Sequence, residues 1–157
     1  MSEEAFVDVL SRHRFVHHGL VYGMPFPDGC AQAIFRSHFF EHITRGDAEC
    51  LAVEALRVLE PGGVIRIAVP DLAWLVSEYE RGASAPSRRH LRLRRARRVR
   101  PPPLLYDEEP HGELLAGAGF ADVTRCRFRE GRAPDLDVLG NREGSLVMEA
   151  ARPGAGG

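Results

Sequence analysis

The chain has 157 residues, enough for one domain with a sizeable core, and 44% hydrophobic with 27% charged residues is ordinary globular composition. A formal net charge of −1 selects no class of partner, and all 21 basic residues are arginine, a bias that with the many Ala, Gly and Pro points to GC-rich coding DNA rather than to a function. Cys30, Cys50 and Cys126 are odd in number and lack C-x-x-C spacing, which argues against a disulfide framework and a cysteine zinc site and fits a reducing cytoplasm.

The amino terminus, Met1-Ser2-Glu3-Glu4, is acidic, and no apolar run approaches the roughly 18 to 20 residues that span a bilayer, so no export or membrane segment is expected. Ala5, Phe6, Val9 and Leu10 recur at helical spacing and predict a short amphipathic helix over residues 3–12. Phe15 to His18 then reads as a short strand. Pro25 and Pro27 exclude regular helix up to the turn signal Asp28-Gly29, after which the apolar run Ala31 to Arg36 reads as a second strand.

Thr44 with Asp47 three residues on resembles a capping box, and Ala48, Leu51, Ala52, Ala55, Val58 and Leu59 share one face of the helix it would start. Pro61-Gly62-Gly63 is expected to stop that helix. Val64 to Val69 is short, β-branched and bounded by Gly and Pro, the pattern of a buried strand in a parallel sheet. Pro70 closes it, and Asp71 is placed to cap a helix from about Leu72 to Glu80.

Between Gly82 and Pro103 the apolar pattern collapses into Arg88, Arg89, Arg92, Arg94, Arg95, Arg97, Arg98 and Arg100, followed by three prolines. This segment reads as a solvated linker or insertion within one domain spanning 1–157. Its density of guanidinium groups suits phosphate-rich partners, but no aromatics interleave for base stacking, so nucleic acid is not the expected partner. Asp107 can cap a helix through Ala116 that Gly117 and Gly119 stop, and strands at about Ala121 to Phe128 and Gly144 to Ala150 follow.

Strands linked by helices imply parallel crossovers, and the last two strands, with no helix between them, imply an antiparallel pair. The expected fold class is therefore α/β, with a mainly parallel sheet and an antiparallel carboxyl-terminal strand pair.

One combination of motifs is more specific than the pattern of elements. Met24-Pro25-Phe26-Pro27-Asp28-Gly29, then Arg36-Ser37-His38-Phe39-Phe40-Glu41-His42, then Leu59-Glu60-Pro61-Gly62-Gly63 at this spacing resembles the middle of a class I S-adenosylmethionine-dependent methyltransferase of the type 11 kind. Tyr106-Asp107-Glu108-Glu109 and Leu114 to Phe120 look like a segment common in one bacterial group of that family. The resemblance implies a partial Rossmann-like sandwich, S-adenosylmethionine as cofactor, and methyl transfer to a small-molecule or glycan acceptor by direct displacement. It implies that Leu20 touches the adenine edge and that Ser37 and His38 line the cofactor cleft beyond the strand ends. Histidine chemistry itself, with an ordinary pKa near neutrality, makes His42 the candidate general base.

The chain departs from the family pattern in three places. Gly19 and Gln32 stand where related sequences often carry acids. The glycine-rich turn that approaches the cofactor's methionine part, and the acid that holds its ribose, do not appear before Phe15. The family places two further strands between those at Phe15 and Ala31, so their loss would leave strand 31–36 with an apolar, unpaired edge open to a second copy or a partner chain. The expectation is a truncated domain, whose alternative to catalysis is a non-catalytic remnant or partner subunit.

His38-Phe39-Phe40-Glu41-His42 also matches H-x-x-E-H, in which two histidines one helical turn apart hold zinc and the glutamate activates water. That chemistry needs a continuous helix, and a motif placed directly after a strand leaves room for barely two turns, so zinc hydrolysis is the weaker alternative. His17 and His18, adjacent on a strand, point to opposite faces and cannot share one metal. For Glu41 and His42 the competing reading is that they shape the loop and cap the following helix.

Overall fold

The hydroxyl of Thr44 opens the longest helix, α1 (Arg45–Val58), as the capping pattern predicts. Thr44 Oγ1 accepts the Asp47 amide at 3.2 Å and donates to Asp47 Oδ2 at 2.6 Å. The computed structural model describes residues 16–81, 107–127, 129–136 and 144–154. The expected helix over residues 3–12 and the arginine-rich segment 82–103 lie outside the described residues.

Four strands make one sheet: β1 (Ala31–Ser37), β2 (Leu59–Pro70), β3 (Ala121–Cys126) and β4 (Ser145–Ala151). Their order is β1-β2-β4-β3, with β1 and β2 parallel and β4 antiparallel to both of its neighbours. Three strands therefore run one way and β4 alone runs back. This is the expected open α/β sheet, with the antiparallel pair at its carboxyl-terminal end.

Two more helices complete the described elements, α2 (Leu72–Glu80) and α3 (Glu108–Gly117). Asp71 Oδ1 accepts the Trp74 amide at 3.1 Å, and Asp107 Oδ1 accepts the Glu108 amide at 2.9 Å. Both aspartates thus satisfy helix amides that have no partner within the helix.

Ala48, Leu51, Ala52, Ala55 and Val58 of α1 are buried. They share a hydrophobic core with Ile65, Ile67 and Val69 of β2, Leu146, Met148 and Ala150 of β4, and Leu114 and Leu115 of α3. These strand residues alternate, as one sheet face requires. Burying each large aliphatic side chain contributes roughly 1.5–3 kcal/mol. On the opposite face Arg66 and Glu149 are fully buried and bonded to the segment Glu130–Ala133.

Two expectations are corrected. Val16 to His18 is exposed and forms no strand. A strand there would need the intervening strands that the family supplies, and β1 ends the sheet among the described residues. The helix before Pro61 stops earlier than expected, because Leu59 is already extended and begins β2. Glu60 to Gly63 instead form a bulge, since Ala31 pairs with Leu59 and Ala33 with Val64. A side chain at Gly63 would meet the carbonyls of Glu60 and Gln32, at 2.9 and 3.1 Å, and Gly62 has φ +82°. Only glycines let the chain pass here.

Candidate active site

In an open α/β sheet the strand ends carry the ligand, because the crossovers gather there. At this edge β1 ends in Ser37, paired with Ala68, while β2 ends in Pro70, paired with Ser145 at the start of β4. Asp71 accepts Arg125 Nη2 at 2.8 Å through its other oxygen, and its amide donates to the Gly144 carbonyl at 3.0 Å. The cap of α2 thereby fixes the entrance of β4.

His38 is the first residue beyond β1. Its amide donates to the Ala68 carbonyl at 2.8 Å, and its φ of +49° lies in the left-handed region that side chains avoid. A non-glycine residue held there costs about 1–3 kcal/mol; Asp122, Arg129 and Asp135 share that conformation, and among these four His38 is the one at a strand end of the sheet's ligand edge. The turn places His38 Nε2 3.3 Å from Ser145 Oγ and His38 Nδ1 3.4 Å from Glu41 Oε1. Glu41 is buried, and its Oε2 has no hydrogen-bond partner among the described residues.

His42, expected as the base, is different. It lies in a single 3-10 turn, Phe40–His42, with its side chain 58% exposed and Nε2 3.8 Å from Glu41 Oε1. The left-handed residue at 38 and the 3-10 turn replace the continuous helix that H-x-x-E-H zinc chemistry requires. The two histidines flank one carboxylate rather than stacking on one helical face.

Leu20 lies in another 3-10 turn, Leu20–Tyr22, and packs against the core. With Phe39, Ile43 and Leu51 it lines a cleft of about 650 Å3 beside α1 that also takes in His18, Asp47, Cys50 and Glu54. Ser37 and His38 are not part of this lining. The structure therefore splits the expected cofactor residues, with Leu20 in the cleft and His38 and exposed Ser37 at the strand ends. Glu54 holds the approach to the cleft: it accepts Arg57 Nε at 2.9 Å and the Met24 amide at 2.9 Å, and these bonds bring its carboxyl down to about 2.

The sequence reading did not single out Ser145, Phe39 or Ile43. The signal for Ser145 was the pair Gly144-Ser145 at a strand start. Gly144 has φ +78°, and a side chain there would run into the ring of Trp74.

Residues 3–67, from ahead of the Pro-Phe-Pro-Asp turn through most of β2, match the family model described as a methyltransferase domain. The fold is that of class I methyltransferases. Solved structures carry the same fold at low identity. A possible histamine N-methyltransferase from Thermotoga maritima superimposes with a TM-score of 0.58 at 19% identity, covering 96% of this chain and 70% of that one. A putative O-methyltransferase from Nostoc punctiforme PCC 73102 gives 0.60 at 15%, over 95% of this chain and 39% of that one. Human N-acetylserotonin methyltransferase, in complex with SAM, gives 0.56 at 15%, over 96% and 39%. No curated protein matches the chain in sequence. The chain thus spans well under half the length of two of these three methyltransferases.

Proposed function

We infer that the chain serves methyl transfer from S-adenosylmethionine to a small-molecule or glycan acceptor. The observation that carries this reading is His38, forced into a left-handed turn at the end of β1, with Glu41 on one ring nitrogen. An acceptor alcohol or amine must lose a proton as its oxygen or nitrogen takes the methyl group, and an imidazole oriented by a carboxylate is suited to receive it. His38 fits that role better than exposed His42.

The cleft supports the cofactor half in part. Leu20, Phe39 and Ile43 would hold a flat adenine, and about 650 Å3 falls within the usual range of ligand sites. Its two carboxylates are already engaged, Asp47 by Thr44 and Glu54 by Arg57 and Met24. They favour neither the ribose hydroxyls nor the cofactor's ammonium group. When bound, the cofactor would supply the electrophilic methyl group. The chain's own contribution is to orient the acceptor and take its proton.

A second reading, a non-catalytic partner subunit, is favoured by the outer edge of β1, which no strand among the described residues pairs. One experiment addresses both. The folded chain, its mass fixed by light scattering, is titrated calorimetrically with S-adenosylmethionine. Micromolar binding that Leu20→Asp weakens supports the methyltransferase reading. No heat up to millimolar cofactor overturns it, and a stable monomer in the same sample overturns the partner-subunit reading.

A further inference from the structure

Ser145, at the start of β4, meets two residues of one distant segment: His38, directly after β1, and Glu41, in the 3-10 turn three residues beyond it. Ser145 Oγ lies 3.3 Å from His38 Nε2, and His38 Nδ1 lies 3.4 Å from Glu41 Oε1. Among the described residues Ser145 Oγ has no other hydrogen bond, so its hydroxyl is committed to the imidazole alone. Glu41 is almost wholly buried, with one oxygen toward the histidine and the other without a hydrogen-bond partner among the described residues. The same oxygen also lies 3.8 Å from Nε2 of the more exposed His42, so the nearer ring, His38, is the one this carboxylate is placed to orient and whose acquired charge it can balance.

The geometry points to a serine nucleophile of the hydroxyl–imidazole–carboxylate kind, acting on carboxylic esters without S-adenosylmethionine. Such a site is recognised by geometry and not by chain order or fold. The substrate class follows from the neighbouring surface. The indole of Trp74, partly exposed, lies against Gly144, the residue before the nucleophile, and suits an uncharged alkyl or aryl ester.

In the first step Ser145 Oγ bonds to the ester carbonyl carbon as its proton passes to His38 Nε2. The carbon–oxygen bond to the alcohol then breaks, and the same proton leaves with the alcohol. In the second step water attacks the acyl-serine, gives one proton to His38, and Ser145 recovers it as the acid departs. The balance is ester plus water to acid plus alcohol, with no other reactant.

The test uses the full chain in cofactor-free buffer, treated with diisopropyl fluorophosphate and, separately, with p-nitrophenyl acetate. Intact mass and peptide mapping should show one diisopropylphosphoryl group on Ser145. Release of p-nitrophenolate should exceed that of Ser145→Ala and of His38→Ala by about 100-fold, the usual contribution of a positioned general base. Glu41→Gln should slow inactivation with the reagent's half-saturation unchanged, because Glu41 positions the ring and does not touch the reagent. A wild-type chain that takes no label, a label on another residue, or a Ser145→Ala variant that hydrolyses as fast as wild type overturns the assignment. Mapping the label on the wild-type chain needs no variant to fold, and calorimetric failure of cofactor binding would leave the result untouched.

Discussion

Arg66 and Glu149 face each other across the β2–β4 pair, Nη1 to Oε1 at 2.6 Å, with neither side chain reaching solvent. Glu149 also accepts the amides of Arg132 at 2.6 Å and Ala133 at 3.2 Å, and Arg66 donates to the Glu130 carbonyl at 2.9 Å. The pair is thus the anchor by which a loop covers the sheet face away from α1. Glu149→Ala removes the carboxylate that balances a buried guanidinium and should cost roughly 3–5 kcal/mol in urea unfolding. Replacing both residues, Arg66→Met with Glu149→Leu, should cost less than Glu149→Ala alone, because no charge is then left buried.

His111 gives the fold a second, pH-dependent debt. It is fully buried on α3, with its ring centroid 5.9 Å from that of Phe40, and burial lowers its pKa to about 4. The folded value lies below the unfolded value near 6.5, so the unfolded chain binds the proton first. Stability is complete above about pH 6.5 and falls as pH drops from there toward 4, by about 3 kcal/mol at most. Urea midpoints measured from pH 7 to pH 4 should show this slope, and His111→Leu should flatten it.

Much of this fold was legible because local chemistry and global topology agree. Thr44, Asp71 and Asp107 each cap the helix that the sequence assigns to them, and Val64 to Val69 alternates between core and far face in a strand whose composition declared it buried. The failures have physical causes. Val16 to His18 has residues suited to a strand but no neighbouring strand among the described residues, and propensity alone cannot supply a ladder. Glu60 to Gly63 reads as a stop, yet it is a bulge whose register depends on Gln32 of another strand. The site was half legible: His38 and Glu41 were visible in one motif, but Ser145 joins them only because β4 inserts beside β2, a pairing that no local pattern encodes.

Glu54 should report the docking of the Pro-Phe-Pro-Asp loop. Hydrogen bonds from Arg57, and secondarily from the Met24 amide, lower its carboxyl from about 4.5 to about 2. Arg57 in turn donates to the Phe26 carbonyl and to Asp28 Oδ1, tying the loop to α1 through one guanidinium. Because the folded pKa is the depressed one, the contribution of Glu54 is present above pH 4.5 and is lost as pH falls from 4.5 through 2. Carboxyl NMR should follow Glu54 titrating near 2, and Glu54→Gln should loosen residues 24–28 at neutral pH, seen as faster amide exchange at Gly29.

Gly144 carries two constraints that a double-mutant cycle can separate. Its φ of +78° is a region where an L side chain costs about 1–2 kcal/mol, and a Cβ there would also press into the ring of Trp74. Gly144→Ala should therefore destabilise by about 2 kcal/mol or more, the backbone cost plus the displacement of the indole. Adding Trp74→Ala relieves the clash but not the backbone strain, so the double variant should regain only the steric part, a coupling readable in urea midpoints. Because the Gly144 carbonyl is what the Asp71 amide holds, movement here also shifts Ser145 away from His38. Diisopropylphosphoryl labelling of Gly144→Ala should accordingly fall, and should recover only in part with Trp74→Ala, which relieves the clash but leaves the backbone strain and removes the indole beside the serine.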